Sequence, residues 1–505
     1  MAKLVSDDLR LIVESPRKIE RAVREDKRWP GWEVVVGIEV HAQVKSRRKL
    51  FSDALTSKPG EKPNSFVTCY DAALPGTLPS SLASAFDRKH YFYSDLPAGY
   101  QITQRYVPFA KGGHLDLSSS CDNLRVGITQ IQLEQDTAKS IFDARRGITQ
   151  VDLNRAGSGL VEIVSEPDMR SPEEAGNYVR TLQAMLRAVG ASDGNMELGS
   201  LRCDVNVSVN KHGHPLGTRC EIKNLNSVKF MMIAITSEVF RHIDLLERGQ
   251  TVPQETRGFD EVKAETFKLR SKEDSPDYRY IPDPNLPPLL LSPVYFQEYI
   301  DRVRRSMPEL PRETRARLMS MGLTEQEAEV LMAVDAGREV RFDGEPAKGA
   351  VQYFDCLAQG RSAKAAVNWM IHELLGQLAA RKETFSDNPV SVEQMGELVD
   401  MVQNGEMTGK SGKALLRHMV TSRSTASPSI LARELGLLAI SDDDGSLLKN
   451  WCLEAIEALP EEVQKVRDGN IKVMNRIMGK VMQLSGGRVK AGDVTQMLEV
   501  LLRKS

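Results

Sequence analysis

"TQIQLEQDTAKS", Thr129 to Ser140, decides how the first half of the chain folds. Read as a strand, its side chains alternate, so Gln130, Gln132, Glu134 and Asp136 share one face while Ile131 and Leu133 take the other. A strand that presents two amides and two carboxylates on one side poses a chemical question.

Neighbouring stretches repeat the pattern. "GIEVHAQV" sets Glu39, His41 and Gln43 against Ile38, Val40, Ala42 and Val44, and "LRCDVNVSV" sets Arg202, Asp204, Asn206 and Ser208 against Cys203, Val205, Val207 and Val209. "TRCEIKNL" offers Arg219, Glu221 and Lys223, and "LVEIV" holds the single acid Glu162 among apolar neighbours. A one-sided antiparallel sheet with its polar face in water accounts for each strand taken singly. Together the faces are poor in Lys and Thr and rich in Glu, Asp, Asn and Arg with one His, and an acid inside "LVEIV" is costly to bury unless paired or bound to a cation. Oxygen donors with one imidazole suit Mg²⁺ better than Zn²⁺. Mg²⁺ beside Lys and Arg suggests a polyphosphate substrate. The chain has no G-x-x-x-x-G-K-[ST] loop and no kinase H-R-D or D-F-G set, and "TGKSGK" from Thr408 reads as a loop between helices. Any use of ATP therefore falls on a non-standard sheet.

The 505 residues, 41% apolar and 27% charged, have the balance of a soluble globular protein of two or three domains. No apolar run is long enough to span a membrane. The cysteines Cys69, Cys121, Cys203, Cys220, Cys356 and Cys452 are scattered without a C-x-x-C pair, which excludes a structural zinc and indicates a reducing compartment. From Trp32 to about Asn285 short β-patterned runs alternate with helical stretches. Pro282, Pro284, Pro287, Pro288 and Pro293 then mark a boundary that neither a helix interior nor a central strand tolerates. Beyond it the apolar residues recur at helical spacing, with a capping box from Thr324 to Glu327, and a further break falls near "TASPS". The reading is α+β: an antiparallel-sheet domain over 32–293, an all-helical domain over 294–430 and a small helical tail over 431–505. Residues 1–31 form an extension whose acids, such as Asp7, Asp8 and Glu14, suit a mixed-charge helix at least as well as a transit segment.

Longer motifs narrow the function. "VVVGIEVHAQV", "ALPGTLP", "FDRKHYFYSDLPAGYQITQ", "IQLEQDTAKS", "VDLNRAGSGLVEIVSEPDMRS", "GSLRCDVNVSV", "EIKNLNS", "QETRGFD" and "LRSKEDSPDYRYIPDPNLPPL" follow one another in an order that resembles the B subunit of the glutamyl-tRNA(Gln)/aspartyl-tRNA(Asn) amidotransferase. The resemblance runs from about Trp32 to the C-terminus. It implies a cradle-shaped catalytic domain, a helical domain and a tail domain that touches tRNA. It also implies an activity: with ATP and Mg²⁺, the side-chain carboxylate of misacylated Glu-tRNA(Gln) is phosphorylated, and ammonia from a glutamine-hydrolysing amidase A subunit displaces the phosphate. A small C-type linker subunit clasps the two in this family. Carried over by motif, metal binding falls on Glu39, His41 and Glu162, with Glu134 and Asp136 close by. Lys139, Arg155, Arg257, Arg270 and Lys272 become contacts for phosphate or the aminoacyl group, and Glu221, Lys223 and Asn224 join the same face.

The departures carry information too. Bacterial members of the family read "EEDAGK" where this chain has "EQDTAK", so Gln135 replaces a carboxylate and Ala138 a glycine; "GTPLIE" has become "GSGLVE". Gln135 and Gly159 resemble the mitochondrial branch, which points to the mitochondrial matrix. Between "LPGTLP" and "FDRKHYFY" only "SSLASA" stands where the family carries a helical segment. From Lys465 to Ser505 nine Lys plus Arg face three Asp plus Glu, a local positive excess that suits either a solvated face or a nucleic-acid backbone. Two other functions stay open at the level of sequence. One is a catalytically degenerate scaffold that binds tRNA and partners, motivated by Gln135, Ala138 and the short segment; the other is a metal-dependent hydrolase on the same carboxylates.

Overall fold

The computed structural model describes residues 26–52, 54–57, 60–67, 85–118, 123–143, 145–271, 278–286, 298, 301–302, 305, 307–336, 349–439, 446–467, 470 and 473–503. The chain divides into two compact units, the first ending at Pro311 and the second beginning at Arg312.

The first unit is built on a nine-stranded sheet. Its strands are β1 (Trp32–Gln43), β4 (Ala110–Lys111), β5 (His114–Ser118), β6 (Asn123–Gln135), β9 (Gly159–Ser165), β10 (Leu201–Lys211), β11 (Cys220–Leu225), β12 (Glu255–Asp260) and β13 (Glu265–Ser271). They run in the order β13-β12-β11-β10-β1-β9-β6-β4, with β5 beside β6. All neighbours are antiparallel except β11 and β12. A three-stranded sheet of β14 (Ile281–Pro282), β2 (Asp87–His90) and β3 (Tyr100–Thr103), and a hairpin of β7 (Lys139–Asp143) and β8 (Ile148–Asp152), complete the unit.

Alternation sorts the main sheet into two faces. Val34, Val36, Ile38, Val40 and Ala42 of β1 and Cys203, Val205, Val207 and Val209 of β10 are buried in one core with Ile163 and Ile222. That core is closed by two helices, α1 (Pro172–Ala188) and α2 (Val228–Glu247), through Tyr178, Val179 and Leu182 and through Met231, Ile235 and Val239. Each such side chain contributes roughly 1.5–3 kcal/mol by leaving water. Local sequence starts the helices where they are needed. Ser171 accepts from the Glu174 amide, with Pro172 in the first turn, and Ser227 accepts from the Lys229 amide. With helices on one face only, the opposite face is left for chemistry.

The second unit is helical, as the apolar spacing predicts. Helices within Pro311–Glu434 surround a core containing Leu331, Phe354, Met370, Leu398 and Leu415. The Thr324 capping box is present: the Glu327 amide donates to Thr324 Oγ1 at 3.3 Å and the Thr324 amide to Glu327 Oε2 at 2.9 Å. Two expectations shift. "TGKSGK" is the start of helix Gly409–Ser422, capped by Thr408, and is not a loop. Its Gly412 serves close packing, because a Cβ there would stand 2.8 Å from Val402 and 2.9 Å from Trp369. The break expected at residue 431 also moves, since Leu431 and Ala432 are buried in the core just described and Leu437 and Leu438 pack on it. A separate core begins with helix Ser446–Ala458, whose Cys452 and Ala455 pack with Ile477, Val481, Val494 and Leu498. Of the proline run, Pro287, Pro288 and Pro293 lie outside the described residues, as does the short segment at 79–84.

Candidate active site on the open face of the sheet

Strand register assembles the polar face. His41 of β1 lies opposite Arg202 of β10 on one side and Glu162 of β9 on the other, and Glu162 in turn lies opposite Gln132 of β6. One row of the sheet thus reads Arg202, His41, Glu162, Gln132. In the adjacent row Glu39 pairs with Asp204. Residues opposite one another across a pleat point the same way, so side chains from four strands converge above the sheet. They line a cavity of about 2080 Å³. This exceeds the several hundred Å³ that suits a single small ligand.

The acids sit at its floor. Glu134, Glu162 and Asp136 are 1%, 8% and 4% exposed, so their charges require partners. Gln132 Nε2 donates to Glu162 Oε2 at 2.6 Å and to Glu134 Oε1 at 3.0 Å, so one amide spans both carboxylates. Thr103 Oγ1 donates to Glu134 as well, and Gln101 Nε2 reaches Glu134 Oε2 at 3.3 Å. Burial first, and then the Glu162 charge, push Glu134 up to about 7. Burial likewise raises Glu162. His41 Nε2 lies 3.8 Å from Glu162 Oε2. His41, Glu134 and Glu162 each offer a donor atom, all within 4.8 Å of one another. Two carboxylates and one imidazole at that spacing, with Glu39 in the same cavity, fit a hard divalent cation.

Cations ring the acids. Arg202 donates to Asp136 Oδ1 at 2.8 Å, and Arg155 Nε stands 3.5 Å from Asp136 Oδ2 while its guanidinium also caps the carbonyls of Thr137 and Ala138. Lys223 bridges Asp204 and, at 3.1 Å, Glu221. The β10–β11 register shifts between Cys203 and Val205, and Asn224 adopts a left-handed φ of 63°. This irregularity interrupts the regular pairing where Lys223 and Asn224 reach the cavity. Lys139 and Arg270 line it too.

Glu39, His41, Glu134, Asp136, Lys139, Arg155, Glu162, Glu221, Lys223, Asn224 and Arg270 are therefore brought together as their motifs suggest. Arg257 is not. It alternates with Thr256, which lines the cavity and donates to Glu221, so Arg257 points to the helix side and pairs with Glu238 of α2 at 3.1 Å and Glu255 at 2.6 Å. Lys272 lies outside the described residues. Gln135 follows Glu134 by one position and does not line the cavity, so the face that carries Glu134 is not depleted by this amide.

Sequence reasoning missed Lys89. It lies on β2, in the smaller sheet, and lines the same cavity. Burial alone would lower its pKa, but the Glu134 charge and then Tyr280 and Glu162 hold it well above the ordinary lysine value. Only the motif "FDRKHYFY" signalled it, because no strand alternation links β2 to the main sheet. A second buried cluster, Cys220, Glu238 and His242, occupies the helix side. Burial would raise Glu238, yet hydrogen bonds from His242 and Arg241 hold it far below the usual carboxylate range. With Arg257 also on it, this cluster is a compensated ion network.

A one-sided sheet whose open face gathers acids, bases and a histidine in a large cavity, followed by an all-helical unit, defines a two-unit α+β protein with an enzyme-like anion and cation site. Residues 34–85 and 80–297 match the family described as GatB/GatE catalytic domain, and residues 352–502 match the GatB domain. The mitochondrial B subunit of the glutamyl-tRNA(Gln) amidotransferase of Laccaria bicolor is 55% identical, over 95% of this chain and 94% of its own length. The protein of the same name in Mycosarcoma maydis is 44% identical over 92% of this chain and 85% of its length. The B subunit of the aspartyl/glutamyl-tRNA(Asn/Gln) amidotransferase of Zymomonas mobilis is 42% identical over 93% of this chain and 97% of its length. The chain belongs to the family of amidotransferase B subunits.

Proposed function

We propose that this chain is the subunit that activates the glutamyl group during conversion of misacylated Glu-tRNA(Gln) to Gln-tRNA(Gln). The single observation that carries the reading is the convergence of His41, Glu134 and Glu162 with lysines and arginines in one large cavity. A carboxylate is a poor acyl donor because its leaving group would be oxide. Its oxygen attacks the γ-phosphorus of ATP, the bond to ADP breaks, and an acyl phosphate forms. Ammonia then adds to the acyl carbon, phosphate leaves and a proton is lost, giving the amide. An amidase A subunit hydrolysing glutamine, clasped by a small C-type subunit, supplies the ammonia.

His41, Glu134 and Glu162, with Glu39, are the residues that would hold Mg²⁺, which when bound neutralises phosphate charge. Gln132 bridges the two glutamates and orients them. Lys139, Lys223, Asn224 and Arg270 line the cavity, which supports their assignment to phosphate or the aminoacyl end, and Asp136 pairs with Arg202 and Arg155. The mitochondrial names of the fungal relatives support a matrix location. Among the described residues, no helix is long and apolar enough to cross a membrane.

The test is ATP consumption by the chain assembled with its amidase and linker partners. Turnover is expected to need both misacylated Glu-tRNA(Gln) and Mg²⁺. Glu162→Gln or Glu39→Gln should lower it at least about 100-fold, the scale of losing a metal-site ligand or its equivalent, while tRNA binding stays near wild type. Unchanged phosphorylation in these variants removes both residues from the metal site. Absence of turnover in the wild-type complex, with tRNA still bound, returns the scaffold reading.

A further inference from the structure

The wall of the cavity beside Glu134 is aromatic, and none of the roles assigned so far uses it. Tyr91, Tyr93, Tyr278 and Tyr280 all line the cavity. Ring centroids lie 5.6 Å apart for Tyr91 and Tyr93, 5.7 Å for Tyr91 and Tyr278, and 6.0 Å for Tyr278 and Tyr280, every pair edge-on or tilted. The rings brace one another rather than stack, so a flat ligand has no competitor among them.

Simple core packing explains rings withdrawn from solvent. It does not explain Tyr93, which is 48% exposed at the cavity although its hydroxyl is fixed by Arg270 Nη1 at 2.7 Å. Arg270 is itself anchored, its Nε donating to Thr256 Oγ1 at 3.3 Å. Behind Tyr93, Tyr91 Oη donates to Gln101 Oε1 at 2.9 Å, and the same Gln101 reaches Glu134. The aromatic wall and the carboxylate floor are thus one hydrogen-bonded surface. The segment bearing Tyr278 and Tyr280 is held with Arg279 at φ 39°, a conformation that long side chains rarely adopt without compensation, and His90 Nδ1 donates to the Arg279 carbonyl at 3.0 Å.

We propose that Tyr93, braced by Tyr91 and Arg270, is the platform on which an adenine base of the substrate stacks. The inference rests on the phosphoryl-transfer reading above, which requires two adenine-bearing ligands: ATP and the 3′-terminal adenosine of the aminoacyl-tRNA. An exposed aromatic face flanked by a guanidinium suits either base, since stacking needs only a π-face and the neighbouring cation favours the phosphates that accompany it.

The test measures direct binding of three probes to the full chain by equilibrium dialysis: Mg²⁺–ATP, Mg²⁺–tripolyphosphate, and a single-stranded oligonucleotide ending in CCA. Tyr93→Ala is expected to weaken an adenine-bearing probe about 5-fold or more, and Tyr93→Phe, which keeps the ring, by less than about 2-fold. Tripolyphosphate, which has no base, should bind all three proteins alike. Loss confined to ATP assigns the platform to its base, and loss confined to the oligonucleotide assigns it to the terminal adenosine. Unchanged affinity of Tyr93→Ala for both adenine probes overturns the proposal, as does an equal loss for tripolyphosphate, which reports general damage to the cavity. If the wild-type chain binds neither ATP nor tripolyphosphate, the phosphoryl-transfer reading fails, and the oligonucleotide arm alone decides for or against the platform.

Discussion

Glu134 illustrates how a single buried group ties the chemistry to pH. Its pKa in the folded chain is about 7, against an ordinary value of 4.5. Between those values the folded chain holds a proton that the unfolded chain has released, so the ligand-free protein loses stability as pH rises through this window. The full effect is on the order of 3 kcal/mol. Chemical denaturation of wild type and Glu134→Gln between pH 5 and 8 should show the wild-type curve falling relative to the variant; parallel curves would mean that Glu134 keeps an ordinary pKa. If the proposed site holds Mg²⁺, the same proton would compete with it, and the apparent affinity should rise with pH until about 7. Calorimetry in buffers of different ionisation enthalpy would register the released proton.

At the scale of elements, much of the site is legible because alternation is a local rule. The faces of β1, β6, β9 and β10 follow from spelling out every second residue, and they put Glu39, His41, Gln132, Glu134 and Glu162 where the sheet has them. What stays hidden is non-local. Strand alternation does not announce that Lys89, on a separate small sheet, will face acids of the main one; only its motif marks the stretch. Arg257 is misplaced when its motif is weighed ahead of its position in the strand: Thr256 takes the cavity side and leaves Arg257 to α2. The consequence is measurable. Arg257→Ala leaves Glu238, 0% exposed, without one of its cations, and should destabilise the fold by about 3–5 kcal/mol. Thermal denaturation would detect this, whereas a selective loss of ATP affinity with an unchanged melting temperature would put Arg257 back among the phosphate contacts. "TGKSGK" teaches the complementary lesson, since its Gly412 lies within a helix and serves close packing against Val402 and Trp369.

For the whole molecule, the separation of the last hydrophobic core defines where the chain can be cut. Removing residues 446–505 deletes the core around Ile477 and Val481 but leaves Leu431 and Ala432 in theirs. The shortened chain should unfold cooperatively yet bind tRNA more weakly, with a smaller dependence of affinity on salt because the basic excess after Lys465 is gone. Equal affinity and equal salt dependence would make that excess a solvated face. Truncation at Leu431 should in addition destabilise the remaining helices, a difference visible in urea titrations.

The row Arg202, His41, Glu162, Gln132 draws on four strands that are distant in sequence. A slip of one residue in any of them would turn its charges toward Tyr178 and Met231 of the helices and expose its valines to water. The cavity face therefore acts as a proofreader of folding: misregistered sheets exclude themselves by burying unpaired charge. On the proposed reading, capture of a cation would then be a certificate that the strands have found their partners.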